Sequence, residues 1–401
     1  MRTERDTTCE PRRSTSGPGL AGTMWAILLV ISAIGIGLGA DATASSGATA
    51  PMAAAVSCDP SATACWTQRS PAASPSARHS AAIATDTATG RVVLFGGADS
   101  SATSLGDTWT WNGSTWAEQT PAVTPPARYG AMMATDPVSH HVVLFGGNGS
   151  GGVLGDTWTW DGITWKQQHP STSPPARSSA MLAADPASGR DVLFGGFSGS
   201  AFFMDTWAWD GANWIIQAPS TTPPGRTLAA MAPDPTTGHV VLFGGAGGLG
   251  DTWTWDGATW TQQNPGTSPP SRDGAVMAPS SSSGRLVLFG GAEGGLGGTI
   301  LSDTWLWDGV NWIQQAPPAS PPGRAFASSA TDPSGGAVLF GGYYLASGNA
   351  VIDFGDTWTI TLPSPAASPP PPPPPSTAST TTTTTASSSK SLNLDSPMNC
   401  G

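Results

Sequence analysis

The chain has 401 residues, a net charge of −11 and only 11% charged residues, against 51 glycines and 38 prolines. Lys166 and Lys390 are its only lysines, so the basic surface that a phosphate backbone demands is missing and nucleic acid is excluded as a partner. The turn-rich composition, with no long amphipathic helical period, excludes a helical bundle and points to an all-β chain.

In chain order, residues 1–23 form a basic segment, with Arg2, Arg5, Arg12 and Arg13. Residues 24–40 are apolar and carry no charge, and the next basic residue is Arg69. That asymmetry places the N-terminus inside and the bulk of the chain outside. The apolar run has a length shared by signal-peptide cores and short membrane anchors. Small residues at Ala40-Asp41-Ala42 and Ala42-Thr43-Ala44 offer cleavage sites, so a cleaved secretory signal is expected, with a membrane anchor as the alternative. Residues 41–62 read as an Ala/Ser/Thr-rich spacer. Cys58 and Cys65 flank the start of the folded region with six residues between them. In an oxidising exterior they could form a disulfide; unpaired cysteines in a mobile leader are the alternative.

From Trp66 the chain repeats itself. A Gly-Gly pair closes an apolar run at 96/97, 146/147, 195/196, 244/245, 290/291 and 341/342. Asp-Thr-Trp follows at 107, 156, 205, 251, 303 and 356, and a lone Trp ends the turn at 116, 165, 214, 260 and 312. Proline-rich segments then lead to arginines, so that Arg78, Arg128, Arg177, Arg226, Arg272 and Arg324 recur in register. One repeat reads as four strands. Ala131 to Ala134 is small and apolar, suited to a crowded axis. His141 to Phe145 is β-branched and apolar, as a strand buried on both faces. Asp156 to Trp160 alternates and puts Trp158 and Trp160 on one face. Asp161-Gly162 signals a hairpin, and Trp165 to Gln168 has the polar character of an outer edge.

With its period near 50 residues, this array of apolar Gly-Gly runs and paired tryptophans resembles the kelch family and the propeller of galactose-oxidase-like proteins over about residues 66–362. The resemblance implies an all-β fold, a six-bladed kelch-type β-propeller with four strands per blade, here assigned to residues 63–362. The strand count predicts how it closes. Trp66-Thr67-Gln68 is an outer strand with no blade, and the last repeat stops at Ile360 without an outer strand. The N-terminal outer strand is therefore expected to complete the C-terminal blade, which removes open sheet edges. Residues 363–401 are rich in proline, threonine and serine and read as an extended tail.

Galactose-oxidase-like chemistry would imply a copper site of tyrosine and histidine ligands with a tyrosine cross-linked to cysteine. The repeats hold no cysteine beyond Cys65, and His79, His140, His141, His169 and His239 occupy unrelated repeat positions without metal-ligand spacing. No catalytic residue, metal or cofactor is therefore assigned. Thr254 to Trp260 resembles the Asp-box of sialidase-type propellers but is one residue short between Asp256 and Gly257. Gly245 to Gly250 fits G-x-G-x-x-G, yet a strand follows where a dinucleotide site needs a helix.

Two features are left as candidate ligand sites. Arg128, Arg177, Arg226, Arg272 and Arg324 enter loops that face the ligand side in kelch propellers, where some members bind acidic peptides. Structural bonding to loop carbonyls of the adjacent blade is the alternative, favoured because every repeat carries the residue. Symmetry breaks instead in the loops between Gly-Gly and Asp-Thr-Trp. Most are Gly/Ser-rich, but the third carries Phe197, Phe202, Phe203 and Met204, and the sixth carries Tyr343, Tyr344 and Phe354. Exposed aromatics on loops above a rigid scaffold point to binding; burial onto the propeller is the alternative. The in-register tryptophans read as packing between blades rather than sugar-stacking surfaces. The expectation is an exported, monomeric, non-enzymatic module at the cell surface or outside it, recognising a peptide, protein or glycan. A secreted carbohydrate-active enzyme and a structural spacer are the alternatives.

Overall fold

The computed structural model describes residues 58–59 and 64–363, apart from 296 and 347–349. The basic segment 1–23, the apolar segment 24–40, the spacer 41–62 except Cys58 and Asp59, and the tail beyond 363 lie outside the described residues, as do Cys9 and Cys400. Among the described residues every regular element is a strand, and no helix is long and apolar enough to cross a membrane.

Six four-stranded antiparallel sheets make the blades. The second blade shows the plan. Met132–Thr135 is innermost, followed outward by Val142–Phe145, Thr157–Trp160 and Trp165–Gln168. The sixth blade is Ser328–Thr331, Ala337–Phe340 and Thr357–Thr361, and its outer strand is Cys65–Arg69 from the other end of the fold. Trp66 pairs with Ile360 and Gln68 with Trp358. Each innermost strand lies against that of the next blade, and the sixth lies against the first. The propeller therefore has no open sheet edge between its first and last blades. Cys58 and Cys65 are joined by a disulfide, with Cα atoms 5.8 Å apart, at the start of that closing strand.

The core is divided among six seams between neighbouring blades rather than gathered at one centre. Each seam is built alike. The phenylalanine that precedes Gly-Gly meets the outer-strand tryptophan of a neighbouring blade at 5.1–5.4 Å between ring centroids, as with Phe145 and Trp214. That indole donates to the threonine of a neighbouring Asp-Thr-Trp at 2.9–3.0 Å, Trp214 to Thr157 for example. Burial of a large ring is favourable, and the paired N–H leaves no desolvation cost behind. Trp66 joins the same pattern through Phe289 and Thr304. The tryptophans of the outer strands are thus packing elements.

One seam contains an anomaly. Val92, Val142, Val240, Leu286 and Ala337 are fully buried at equivalent positions, but the third blade places Asp191 there, opposite Trp209. Neither carboxyl oxygen of Asp191 has a partner, and the Trp209 indole N–H is also unpaired. Burial first, then Asp136 and Asp185, push the Asp191 carboxyl well above the ordinary carboxylate range. A raised carboxyl penalises the fold as pH climbs from the unfolded pKa toward the folded one, by up to about 1.4 kcal/mol per pH unit. Asp191→Val should therefore stabilise the protein at pH 7 by about 2 kcal/mol. That is roughly 4–8 °C in melting temperature, with a smaller gain at pH 4. Thermal melts of both proteins across that range check it, and a variant less stable than the parent at pH 7 would refute it.

Candidate functional site

The site-bearing face is built where the proline-rich loops turn into the inner strands. Each repeat arginine is fully buried there. Its Nη1 donates to the Asp-Thr-Trp aspartate at 2.6 Å and to the carbonyl of the first glycine at 2.9–3.0 Å, as Arg128 does to Asp156 and Gly146. Nη2 reaches the second carboxylate oxygen, and Nε bonds a carbonyl two residues upstream. The carbonyl acceptor lies in the arginine's own blade rather than the adjacent one. The arginine's main-chain carbonyl does cross the seam, accepting from the second glycine of the previous blade at 2.8–3.0 Å. That approach requires glycine. A Cβ on Gly146, whose φ is +63°, would lie 2.5 Å from the Arg177 carbonyl oxygen. Arg128, Arg177, Arg226, Arg272 and Arg324 are thus inward-facing clasps within their own blades, with their guanidinium groups buried rather than displayed on the loop face.

Each clasped aspartate also accepts from the indole of the tryptophan two residues on, at 2.6–2.7 Å. Burial pushes these carboxyls up, but hydrogen bonds from the arginine and tryptophan, with the arginine's charge, outweigh it. Asp107, Asp156, Asp205, Asp251, Asp303 and Asp356 all sit below the usual carboxylate value.

Inside the clasps runs a collar around the channel mouth. Ser80, Gly130, Ser179, Leu228, Gly274 and Phe326 all have φ between +51° and +61°. Each donates its N–H to the carbonyl of the previous member at 2.8–3.1 Å, and Ser80 closes the ring on Phe326. The inner strands begin after this collar, at Ala82 in the first blade and at Met132 rather than Ala131 in the second. The channel inside is narrow, about 170 Å³, and lined by small and flexible apolar side chains such as Ala131, Met133, Ala229 and Met277.

The aromatic loops separate into different roles. Phe203 lies over the Arg177 guanidinium and Phe354 over that of Arg324, each 3.9 Å from cation to ring centroid, so both cover clasps. Phe197 and Phe202 pair with each other at 5.2 Å. Tyr343 is 8% exposed and stacks on Phe326. Tyr344 is 37% exposed and packs against Phe354. The third and sixth loops belong to opposite blades of the ring, so the two aromatic sets do not converge. The sixth loop instead faces the fifth across a cleft of about 740 Å³, lined by Tyr344, Leu345, Phe354, Ile300, Pro322 and a glycine rim that includes Gly323. Both loops form short ribbons, Tyr343–Leu345 with Val351–Asp353 and Ala292–Glu293 with Thr299–Ile300.

Sequence reasoning missed the residues that directly follow the clasp arginines. His79, Tyr129, Ser178, Thr227, Asp273 and Ala325 ring the mouth, and no two blades carry the same one. The signal was available: these are variable positions beside an invariant arginine. Among the described residues no three His, Cys, Asp or Glu side chains converge as a metal-ligand group.

A family model described as the KLHDC2/KLHL20/DRC7 Kelch-repeats domain matches residues 51–245. No curated protein matches the chain at a significant level. Taken with six registered repeats folded into six four-stranded blades, that match makes the chain a kelch-repeat β-propeller protein.

Proposed function

We propose that this propeller is a non-enzymatic recognition module that takes a peptide segment of a protein partner in the cleft between its fifth and sixth blades. Kelch propellers serve as protein-interaction modules, and the cleft itself carries the more specific reading. It sets an exposed tyrosine and apolar side chains against a glycine rim, combining an anchor surface with accessible backbone groups. Rigid blades beneath it limit the entropy lost on binding. We further propose that the module acts outside the cytoplasm. The uncharged stretch at residues 24–40, preceded by arginines, and the Cys58–Cys65 disulfide support this reading.

The test is selection from a displayed peptide library, followed by titration of the enriched peptide. Tyr344→Ala should weaken binding about tenfold while leaving the melting temperature nearly unchanged, because the ring is half out of the fold. The Phe203→Ala and Phe354→Ala variants should instead lose stability, since both rings cover buried guanidinium groups. An enriched peptide that binds the Tyr344→Ala protein as tightly as the parent would overturn the assignment of the cleft. Selection of glycans but no peptide would replace the ligand class.

A further inference from the structure

The collar is regular in its backbone and irregular in its side chains, and at one sector the irregularity becomes a charge imbalance. Asp273, just after the fifth clasp arginine, is 2% exposed, and neither of its carboxyl oxygens has a partner. Across the next blade, the Asp353 side chain is 3% exposed. Its Oδ1 lies 2.9 Å from His79 Nδ1, and its Oδ2 has no partner. Tyr343 pairs with Asp353 on the sixth-loop ribbon. Burial first, then the nearby charges of Asp273 and Asp353, push its phenol well above the ordinary tyrosine value. Asp353 lies opposite Tyr343 on the ribbon, and Asp273 adjoins Gly274, against which the Phe326 ring packs. Aromatic rings complete the sector. Tyr343 stacks on Phe326 with planes 6° apart, and His79 meets Tyr343 edge-on at 5.4 Å. The Phe326 ring also lies against Gly274, where a Cβ would approach it within 2.8 Å. Of the six left-handed collar residues, Phe326 is the bulkiest, and such a residue rarely adopts a φ of +57°.

Three buried carboxylate oxygens without donors are costly unless a donor arrives. Burial lifts the Asp273 carboxyl to about 6, and no positively charged side chain offsets it. Cationic N–H groups supply such donors, and among the described residues no three His, Cys, Asp or Glu side chains form a metal-ligand group. Carboxylates paired with aromatic faces are the surroundings that guanidinium and alkylammonium groups favour.

We propose that Asp273, Asp353, Tyr343, Phe326 and His79 form a cation-recognition site at the channel mouth that receives the head group of an arginine or lysine side chain from a partner. Rotation of the half-buried Phe326 ring admits the head group, and the two aspartates accept its N–H donors. Tyr343 and Tyr344 point to opposite faces of one ribbon, so this site and the cleft lie back to back. A partner residue can fill either without the other.

The probe is N-acetyl-argininamide, titrated into the full chain and followed by the amide shifts of His79 and Gly274. Saturable shifts in the millimolar range are expected, and the N-acetyl-citrullinamide isostere should bind about tenfold more weakly because it lacks the charge. N-acetyl-lysinamide decides between guanidinium and ammonium, and saturable binding of it supports the site equally. Asp273→Asn and Asp353→Asn should each lower affinity for the arginine probe at least about fivefold. Asp191→Asn, which removes a buried acid elsewhere, and Tyr344→Ala should leave it unchanged. Equal binding of the citrulline isostere, equal binding by the two asparagine variants, or no saturable shift would overturn the proposal. Failure of the cleft variant alone would leave it standing.

Discussion

A chain lacking residues 58–70 should fail to fold cooperatively, and Trp66→Ala alone should lower the melting temperature by about 10 °C. The deletion removes the outer strand of the sixth blade and exposes the edge of Thr357–Thr361, which is paired along its length in the intact protein. It also removes Trp66 from the seam that holds Phe289, Leu306 and Leu339. Truncating a buried tryptophan costs about 3–5 kcal/mol, and here the Thr304 hydroxyl loses its indole donor as well. Total stability of a domain is only about 5–15 kcal/mol, so loss of the entire strand exceeds what the remaining seams can supply. The unpaired edge should also promote association between molecules. Calorimetry and light scattering read both effects. A truncated protein that melts at the parent's temperature as a single sharp transition would refute closure by the N-terminal strand.

That closure was legible in the sequence because the deficit was countable: an outer strand with no blade at one end and a blade with no outer strand at the other. The seams were legible too, since tryptophans at fixed spacing in every repeat can pack only against equivalents. Less visible was anything set by the meeting of blades. The partner of each arginine could have been found by matching charges, because every repeat carries one in-register arginine and one in-register Asp-Thr-Trp aspartate. Loop carbonyls of the adjacent blade were the more obvious guess, and the actual acceptors lie in the same blade. The collar was hidden for a different reason. Its left-handed conformation is occupied by serine, leucine and phenylalanine as well as glycine, so no residue type marks it. Broken symmetry was sought in the long loops and not at His79, Tyr129 or Asp273, where a single position does the varying. Asp191 stood in plain view within Arg190–Phe194, but an acid at the start of a strand reads as a polar end until the neighbouring blade is seen to bury it.

The arginine clasps should dominate the acid limit of the fold, and Arg226→Ala should be among the most damaging single substitutions in it. The guanidinium holds both oxygens of Asp251 and the carbonyls of Gly244 and Pro224. Removing it leaves a largely buried carboxylate with only the Trp253 indole, together with two carbonyls that lose their side-chain donor. Loss of one partner of a buried pair costs about 3–5 kcal/mol. Arg226→Met combined with Asp251→Leu should recover part of this, since no charge is stranded, but not all, because the two carbonyls and the Trp253 indole N–H stay unpaired. Urea unfolding at pH 7 should rank parent, double variant and single variant in that order; a double variant equal to the parent would show that the carbonyl and indole bonds contribute nothing. The same six aspartates fix the response to acid. Their folded pKa values lie below the ordinary 3.8, so the stability they add is present above about pH 4. It is lost as pH falls through the depressed values. Asp191 and Asp273 titrate with the opposite sign, because burial raises both, and acid relieves rather than imposes their cost. Stability should therefore rise slightly from pH 7 toward pH 5 and then collapse below pH 4. The Asp191→Val protein should lose most of the rise and keep the collapse.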